Sequence, residues 1–145
     1  MAAQVPQKLQ AIAAVQIVSG ILNLVVMGLM VATVVGGGAG TLGSIVGALF
    51  TLLGCPFGCL FSLGWLCGLW GLVLVPIGMI EILCGTVILV NPDGAGGFAK
   101  AGMMTELASV VFGGVFSFVA GIVVLNLLKD AEVAGFLESG GQGAP

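Results

Sequence analysis

Residues 41–90 read TLGSIVGALFTLLGCPFGCLFSLGWLCGLWGLVLVPIGMIEILCGTVILV, an apolar stretch whose single charged residue is Glu81. As one helix it would reach about 75 Å, more than twice the ~30 Å of bilayer hydrocarbon. The stretch must therefore fold back on itself. A turn near Ser62–Gly64 gives two membrane spans, over residues 41–62 and 65–90. A turn at Pro56 is the alternative, with Pro76 then interrupting the longer segment.

The whole chain shares this shortage of charge. Of its 145 residues, 59% are hydrophobic and 6% are charged, and it contains three Lys but neither Arg nor His. Soluble domains carry about 25% charged residues, so this composition indicates a lipid environment. The missing Arg and His exclude guanidinium clamps and imidazole chemistry, and the net charge of −3 does not suit nucleic acid. We expect no enzyme activity, no cofactor and no metal site.

Two further apolar segments complete the predicted topology. Residues 11–35 are uncharged and exceed the ~7–15 residues of a signal-peptide core, so they are interpreted as a retained first span. A turn at Asn91–Gly94 and a Gly-rich loop up to residue 102 precede a last span over residues 103–128. The prediction is an all-α membrane protein, a four-transmembrane-helix bundle in one domain (residues 1–138), with a disordered tail at 139–145.

The few lysines predict the orientation of this bundle. An even number of spans places both termini on the same side, together with Lys8 and Lys129, whereas Lys100 lies in the opposite loops. The positive-inside rule then places both termini in the cytoplasm. We expect the bacterial inner (cytoplasmic) membrane as the location and the lipid bilayer as a partner.

Small residues recur every fourth position in two of the predicted spans. Such stripes let helix backbones approach closely in lipid, where helices associate through packing and hydrogen bonds. They predict contact faces, either within one bundle or between copies of the chain or other membrane subunits. The predicted packing residues are Gly43, Gly47 and Thr51 in the second span, and Ser109, Gly113, Ser117 and Gly121 in the last.

Polar residues inside the spans are the candidate functional groups. Gln16, Ser19 and Asn23 share one face of the first span and should face protein, because amides in lipid need partners. Glu81 lies about 13 Å inside its span by helix rise, where an ionised carboxylate costs at least ~2.5–3.5 kcal/mol. It is therefore either a proton or cation site, or a packing anchor bonded to a group such as Asn23. Glu106 is expected near a membrane surface, capping the last helix.

An internal echo links the first and third predicted spans. Residues 16–25, QIVSGILNLV, resemble residues 81–90, EILCGTVILV, with Ile, Gly, Leu and Val at equivalent positions. A duplicated hairpin would relate the two halves by an axis along the membrane normal. Chance similarity between apolar helices is the alternative.

The end of the chain contains a further amphipathic segment. Asp130 can cap a short helix that places Val133, Phe136 and Leu137 on one apolar face. This helix would lie on the membrane surface. A frayed extension of the last span is the alternative.

Two short segments carry family resemblances. Gly78–Gly85 (GMIEILCG), with Asp130–Val133 and Phe136, resembles a group of small bacterial four-span membrane proteins, although related proteins often have Pro at position 131. Ile12–Leu24 resembles the first helix of the membrane-spanning four-domain family, the B-cell tetraspan antigens. Both resemblances imply four spans, and neither supplies a catalytic motif.

The expected function follows from packing residues without catalytic groups. We expect a non-enzymatic tetraspan that acts as a structural, scaffold or accessory subunit in a homo-oligomer or a larger membrane complex. The alternative is a small channel or a proton- or cation-coupled carrier that uses Glu81.

Overall fold

The computed structural model describes residues 5–35, 72–112 and 114–139, and these are helical without any strand. This confirms the all-α class for the described part of the chain. Short 3₁₀ turns lie at Pro92–Gly94 and Ser109–Phe112. The α-helices are α1 (Gln7–Val35), α2 (Leu74–Val90), α3 (Ala95–Ala108), α4 (Val115–Leu128) and α5 (Ala131–Glu138).

One described segment is long and apolar enough to cross a membrane. It is Gln7–Gly28 of α1, with a mean hydropathy of 2.0. Buried core helices and N-terminal signal sequences also meet this criterion. Helices α2 and α4 are apolar but shorter, at 17 and 14 residues. At 1.5 Å per residue they extend about 26 and 21 Å, less than the ~30 Å of hydrocarbon.

Glycines bring α1 and α2 into close contact. A Cβ placed on Gly20 would lie 2.5 Å from the carbonyl oxygen of Gly78, and one on Gly78 would lie 2.7 Å from the carbonyl oxygen of Gly20. Further along, a Cβ on Gly85 would lie 2.6 Å from the carbonyl oxygen of Ala13. These distances leave no space for any side chain, so glycine is required where the backbones cross.

The same contacts show that α1 and α2 run antiparallel. Gly20 faces Gly78 and Ile82, whereas Gly85 faces the earlier residues Ala13 and Ile17. The predicted order, with the single span 41–62 between residues 11–35 and 65–90, requires parallel helices. The structure differs here, and a predicted span does not reveal its direction because apolar composition is the same in both directions.

The sequence echo matches this antiparallel pair contact by contact. Gly78 O, Ile82 Cγ1 and Ile82 N surround Gly20, and Ala13 O, Ile17 Cγ1 and Ile17 N surround Gly85. Ile17 and Ile82 occupy equivalent positions of the echo, and Ala13 and Gly78 stand three residues before its two segments. A pseudo-two-fold axis perpendicular to the helices therefore relates α1 to α2. This is the relation found in inverted repeats, and the predicted axis along the membrane normal is wrong because the two helices are antiparallel.

Helices α3 and α4 form a hairpin rather than one continuous span. The loop predicted up to residue 102 is wrong, because α3 begins at Ala95. The Ser109 hydroxyl lies 2.5 Å from the carbonyl oxygen of Glu106 and 3.0 Å from that of Gly114. The Gly114 N–H donates to the carbonyl oxygen of Ser109 at 2.9 Å. Such local bonds compete with helix continuation, which explains the break inside the predicted span 103–128.

The N-terminal end of α1 and the C-terminal end of α4 lie together in an apolar cluster. Asp130 caps α5 as predicted, by accepting from the Glu132 N–H at 3.1 Å. The predicted position of this helix on the membrane surface is wrong, because Val133 and Phe136 are buried in this cluster. Lys8 Nζ lies 2.7 Å from Asp130 Oδ2 beside it. We call this region the apolar end. Its buried residues are Leu9, Ile12, Ala13, Ile88, Ala95, Ala99, Val124, Val133 and Phe136.

Several predictions fall on residues outside the described ranges. The predicted turn at Asn91–Gly94, by contrast, lies inside the described ranges. It is present, since the Gly94 N–H donates to the Asn91 carbonyl oxygen at 3.3 Å. The outside set comprises the second span 41–62 with Gly43, Gly47 and Thr51, the turn at Ser62–Gly64, residues 65–71, Gly113 and the tail after residue 139.

Candidate functional site

Polar side chains from four helices meet inside the described bundle, beyond the apolar end. Each is at most 4% exposed. We call this set the polar core. Its members are Gln16, Ser19 and Asn23 of α1, Glu81 of α2, Glu106 of α3 and Ser117 of α4.

Asn23 organises the first half of the polar core. Its Nδ2 donates to Glu81 Oε2 at 3.0 Å and to Ser117 Oγ at 2.7 Å. The Ser117 hydroxyl lies 2.6 Å from Ser19 Oγ and 3.4 Å from Glu81 Oε2. The contact between Asn23 and Glu81 that the sequence suggested is therefore present, and three helices are joined through it.

Gln16 anchors α1 to α3 in the second half. Its Nε2 donates to the carbonyl oxygen of Ala99 at 3.1 Å, and its side chain lies directly on Gly102. A Cβ at Gly102 would overlap this amide, so only glycine allows Gln16 to reach the α3 backbone. The polar stripe Gln16, Ser19 and Asn23 thus faces protein, as expected from its helical spacing.

Glu106 is a second buried acid, and its predicted position near the membrane surface is wrong. It is fully buried in the last turn of α3 and does not cap a helix end at the surface. Gly121 of α4 packs on it, since a Cβ there would lie 3.0 Å from Glu106 Cβ. The error arose because α3 begins earlier than the predicted span. Gly102 stands one turn before Glu106, and Gly85 stands one turn after Glu81. This spacing of an acid and a glycine is the sequence feature that could have predicted a buried Glu106.

The two acids lie near each other within the bundle. Ser117 bonds Glu81, and Gly121, one helical turn further along α4, contacts Glu106. Both acids therefore pack on α4, at positions one helical turn apart. The thiol of Cys84, three residues after Glu81 on α2, is buried as well.

Four oxygen atoms of the polar core have no hydrogen-bond partner among the described residues. They are Gln16 Oε1, Glu81 Oε1, Glu106 Oε1 and Glu106 Oε2. Buried polar atoms in folded proteins are nearly always bonded, because a lost partner costs about 1–3 kcal/mol. This cluster of acceptors therefore favours a bound positive species, such as a proton or a small cation.

The basic residues of the described chain lie away from the polar core. Lys100 and Lys129 are exposed, and Lys8 pairs with Asp130 beyond the apolar end. The predicted position of Lys100 on the side opposite to Lys8 is wrong, because Lys100 follows Ala99, which belongs to the apolar end together with Leu9. The hydrogen bond from Lys8 holds the pKa of Asp130 below its ordinary value of 3.8. Within the described ranges, no group of three or more His, Cys, Asp or Glu side chains is arranged to hold a metal ion.

Ser109, Ser117 and Gly121 of the predicted packing residues are buried at helix contacts. Their four-residue spacing continues through the α3–α4 turn, so they do not form one stripe on one helix. Ser109 forms the turn, Ser117 joins the polar core, and Gly121 contacts α3.

Comparison with protein-family models, curated proteins and solved structures gives no match to this chain.

Proposed function

We propose that this chain is a non-enzymatic integral membrane protein whose polar core binds a proton or a small cation, in a small channel or a proton- or cation-coupled carrier. The observation that carries this proposal is the fully buried Glu106, which packs on α4 as Glu81 does and whose carboxyl oxygens have no hydrogen-bond partner among the described residues. A packing anchor satisfies its polar atoms, as Glu81 Oε2 does with Asn23. Two acids with free oxygens are typical of a site that takes a positive charge.

The proposed location is the bacterial inner membrane, with the termini in the cytoplasm. Apolar side chains cover the outside of the helices, as contact with lipid requires. Lys8 and Lys129 belong to the end of the bundle where α1 begins and α4 ends, and the positive-inside rule assigns that end to the cytoplasm. The inverted pairing of α1 with α2 also supports a carrier, because many transporters place their ion sites at the interface of such repeats.

Reconstitution tests this function. We expect wild-type protein in liposomes to conduct protons or monovalent cations, and the Glu81→Gln variant to lose that flux because the substituted amide cannot take up a proton. Glu132→Gln is the matched control, since Glu132 is an acid on the exposed face of α5. Background flux in the wild type would contradict the proposal, as would equal flux in wild type and Glu81→Gln.

A scaffold or accessory subunit in a homo-oligomer or a larger complex is the second candidate. The outer face of α2 favours it, because Met79, Leu83 and Val90 form one apolar row and are 61%, 59% and 79% exposed. Another helix or lipid can cover this row. Native mass spectrometry of the protein released from membranes tests the candidate. A strictly monomeric protein without companions would contradict it.

A further inference from the structure

We propose that Glu81 and Glu106 act as one proton-binding pair, in which protonated Glu106 donates to the free oxygen of Glu81. This inference rests on the proposed function and names its ligand, the proton, and its second acid. The sequence alone indicated no such role for Glu106.

The hydrogen bonds of Glu81 leave one of its oxygens available. Oε2 accepts from Asn23 at 3.0 Å and lies 3.4 Å from Ser117 Oγ, whereas Oε1 has no donor among the described residues. Glu81 is thus held as an acceptor, with one fixed oxygen and one free oxygen. Fixing one oxygen orients the other, because the carboxyl group is planar.

Glu106 has the complementary requirement. Both of its oxygens are buried and lack donors among the described residues, so the carboxyl group gains a hydrogen bond by carrying its own proton. The polar core contains two other oxygens that lack a donor among the described residues, Glu81 Oε1 and Gln16 Oε1. A bond to ionised Glu81 is charge-assisted and is the stronger of the two.

The groups that the described helices place around the two acids carry no positive charge that could neutralise them. Facing the acids, α1 contributes the amides of Gln16 and Asn23 and the hydroxyl of Ser19, and α4 contributes the Ser117 hydroxyl. The buried thiol of Cys84, three residues after Glu81 on α2, is a further titratable group. None of these groups is a cation, and the described residues include no three-ligand metal group. A proton shared between two carboxyl groups needs only two oxygens, and Glu81 and Glu106 supply them.

The resulting step is a simple proton transfer. A proton on Glu106 moves along the hydrogen bond to Glu81 Oε1, which leaves Glu106 ionised and Glu81 neutral. Glu106 then takes up the next proton, and Glu81 releases its own. The pair holds one or two protons at a time, and each transfer conserves both the proton count and the charge.

Infrared titration of the full chain in liposomes tests this pairing. The measured quantity is the carbonyl band of protonated carboxylic acids as a function of pH. We expect two steps in the wild type, because interacting acids titrate as a pair. We expect Glu81→Gln and Glu106→Gln each to show one step, at a pH between the two wild-type steps, since only one acid remains.

Two further variants complete the experiment. Glu132→Gln is the control and should keep both steps, and Glu106→Asp should restore the second step that Glu106→Gln removes. The pairing is overturned if the acid left in either glutamine variant titrates as it does in the wild type, because the two acids are then independent. The pairing is also overturned if circular dichroism shows folded Glu106→Asp with a single step.

The infrared result is separable from the flux result. Paired titration without flux supports the pair and contradicts the proposed channel or carrier. Flux through a protein whose acids titrate independently supports the proposed function and overturns the pair.

Discussion

The apolar end and the polar core are built by the same helices but are held together by different forces. Helix α1 contributes Leu9 and Ile12 to the former, then Gln16 and Asn23 to the latter. The apolar end has close packing of aliphatic side chains, whereas hydrogen bonds between helices join the polar core. This arrangement separates the acids from the charged pair at Lys8 by a layer of fully buried apolar residues.

Truncation in the apolar end should have the largest effect on stability. Leu9→Ala removes a fully buried side chain and leaves a cavity, which costs about 2–5 kcal/mol. Leu83→Ala is the control, because Leu83 is 59% exposed. Unfolding by denaturant in detergent micelles measures both. Equal losses for the two variants would show that the apolar end does not act as a packed core.

Substitutions at the crossing of α1 and α2, which supports the polar core, should destabilise the protein nearly as much as Leu9→Ala. Gly20→Ala and Gly85→Ala each place a methyl group against backbone, so each should destabilise the protein by about 1–3 kcal/mol. The inverted pairing predicts similar losses of stability for Gly20→Ala and Gly85→Ala. Gly28→Ala is the control on α1, since the methyl group added there would have no atom within 4 Å. Thermal melting of the three variants checks this, and a neutral Gly85→Ala would contradict the repeat.

Removing a hydrogen bond from the polar core should have a smaller effect. Asn23→Ala deletes the donor to Glu81 and Ser117. Hydrogen bonds between helices in membranes are worth about 0.6 kcal/mol on average and about 1.7 kcal/mol at most. Thr86→Val, which loses an exposed bond within one helix, is the control for denaturant unfolding. A loss as large as that of Leu9→Ala would erase the distinction between the two regions.

Loss of the ion pair between Lys8 and Asp130, beside the apolar end, should have the smallest effect on stability, and this effect should depend on pH. Because Lys8 lowers the pKa of Asp130 in the folded protein, the ion pair stabilises the fold above pH 3.8 and is lost as the pH falls through the folded value. Asp130→Asn should therefore melt below wild type at neutral pH and approach it in acid. Glu138→Gln is the control. A melting difference between wild type and Asp130→Asn that stays constant with pH would contradict this assignment.

Local patterns predicted much of this structure. Helical spacing placed Gln16, Ser19 and Asn23 on one buried face, and the capping preference of Asp130 located α5. The wrong assignments came from long-range effects. Gly-rich sequence between Asn91 and Gly102 suggested a loop, but contact of Gln16 with Gly102 stabilises helix there. Because that misplaced the start of α3, Glu106 was assigned to the surface.

The sequence by itself determined the helical class of the described residues, the polar face of α1 and the unusual position of Glu81. These depend on composition and on spacing along one helix, which are local properties. Only the tertiary structure decided that α1 and α2 are antiparallel, that the predicted last span is a hairpin, and that Glu106 joins Glu81. Each of these depends on which helices are neighbours, and apolar segments of similar composition do not encode their partners individually. Glycine contacts and hydrogen bonds between helices make that choice.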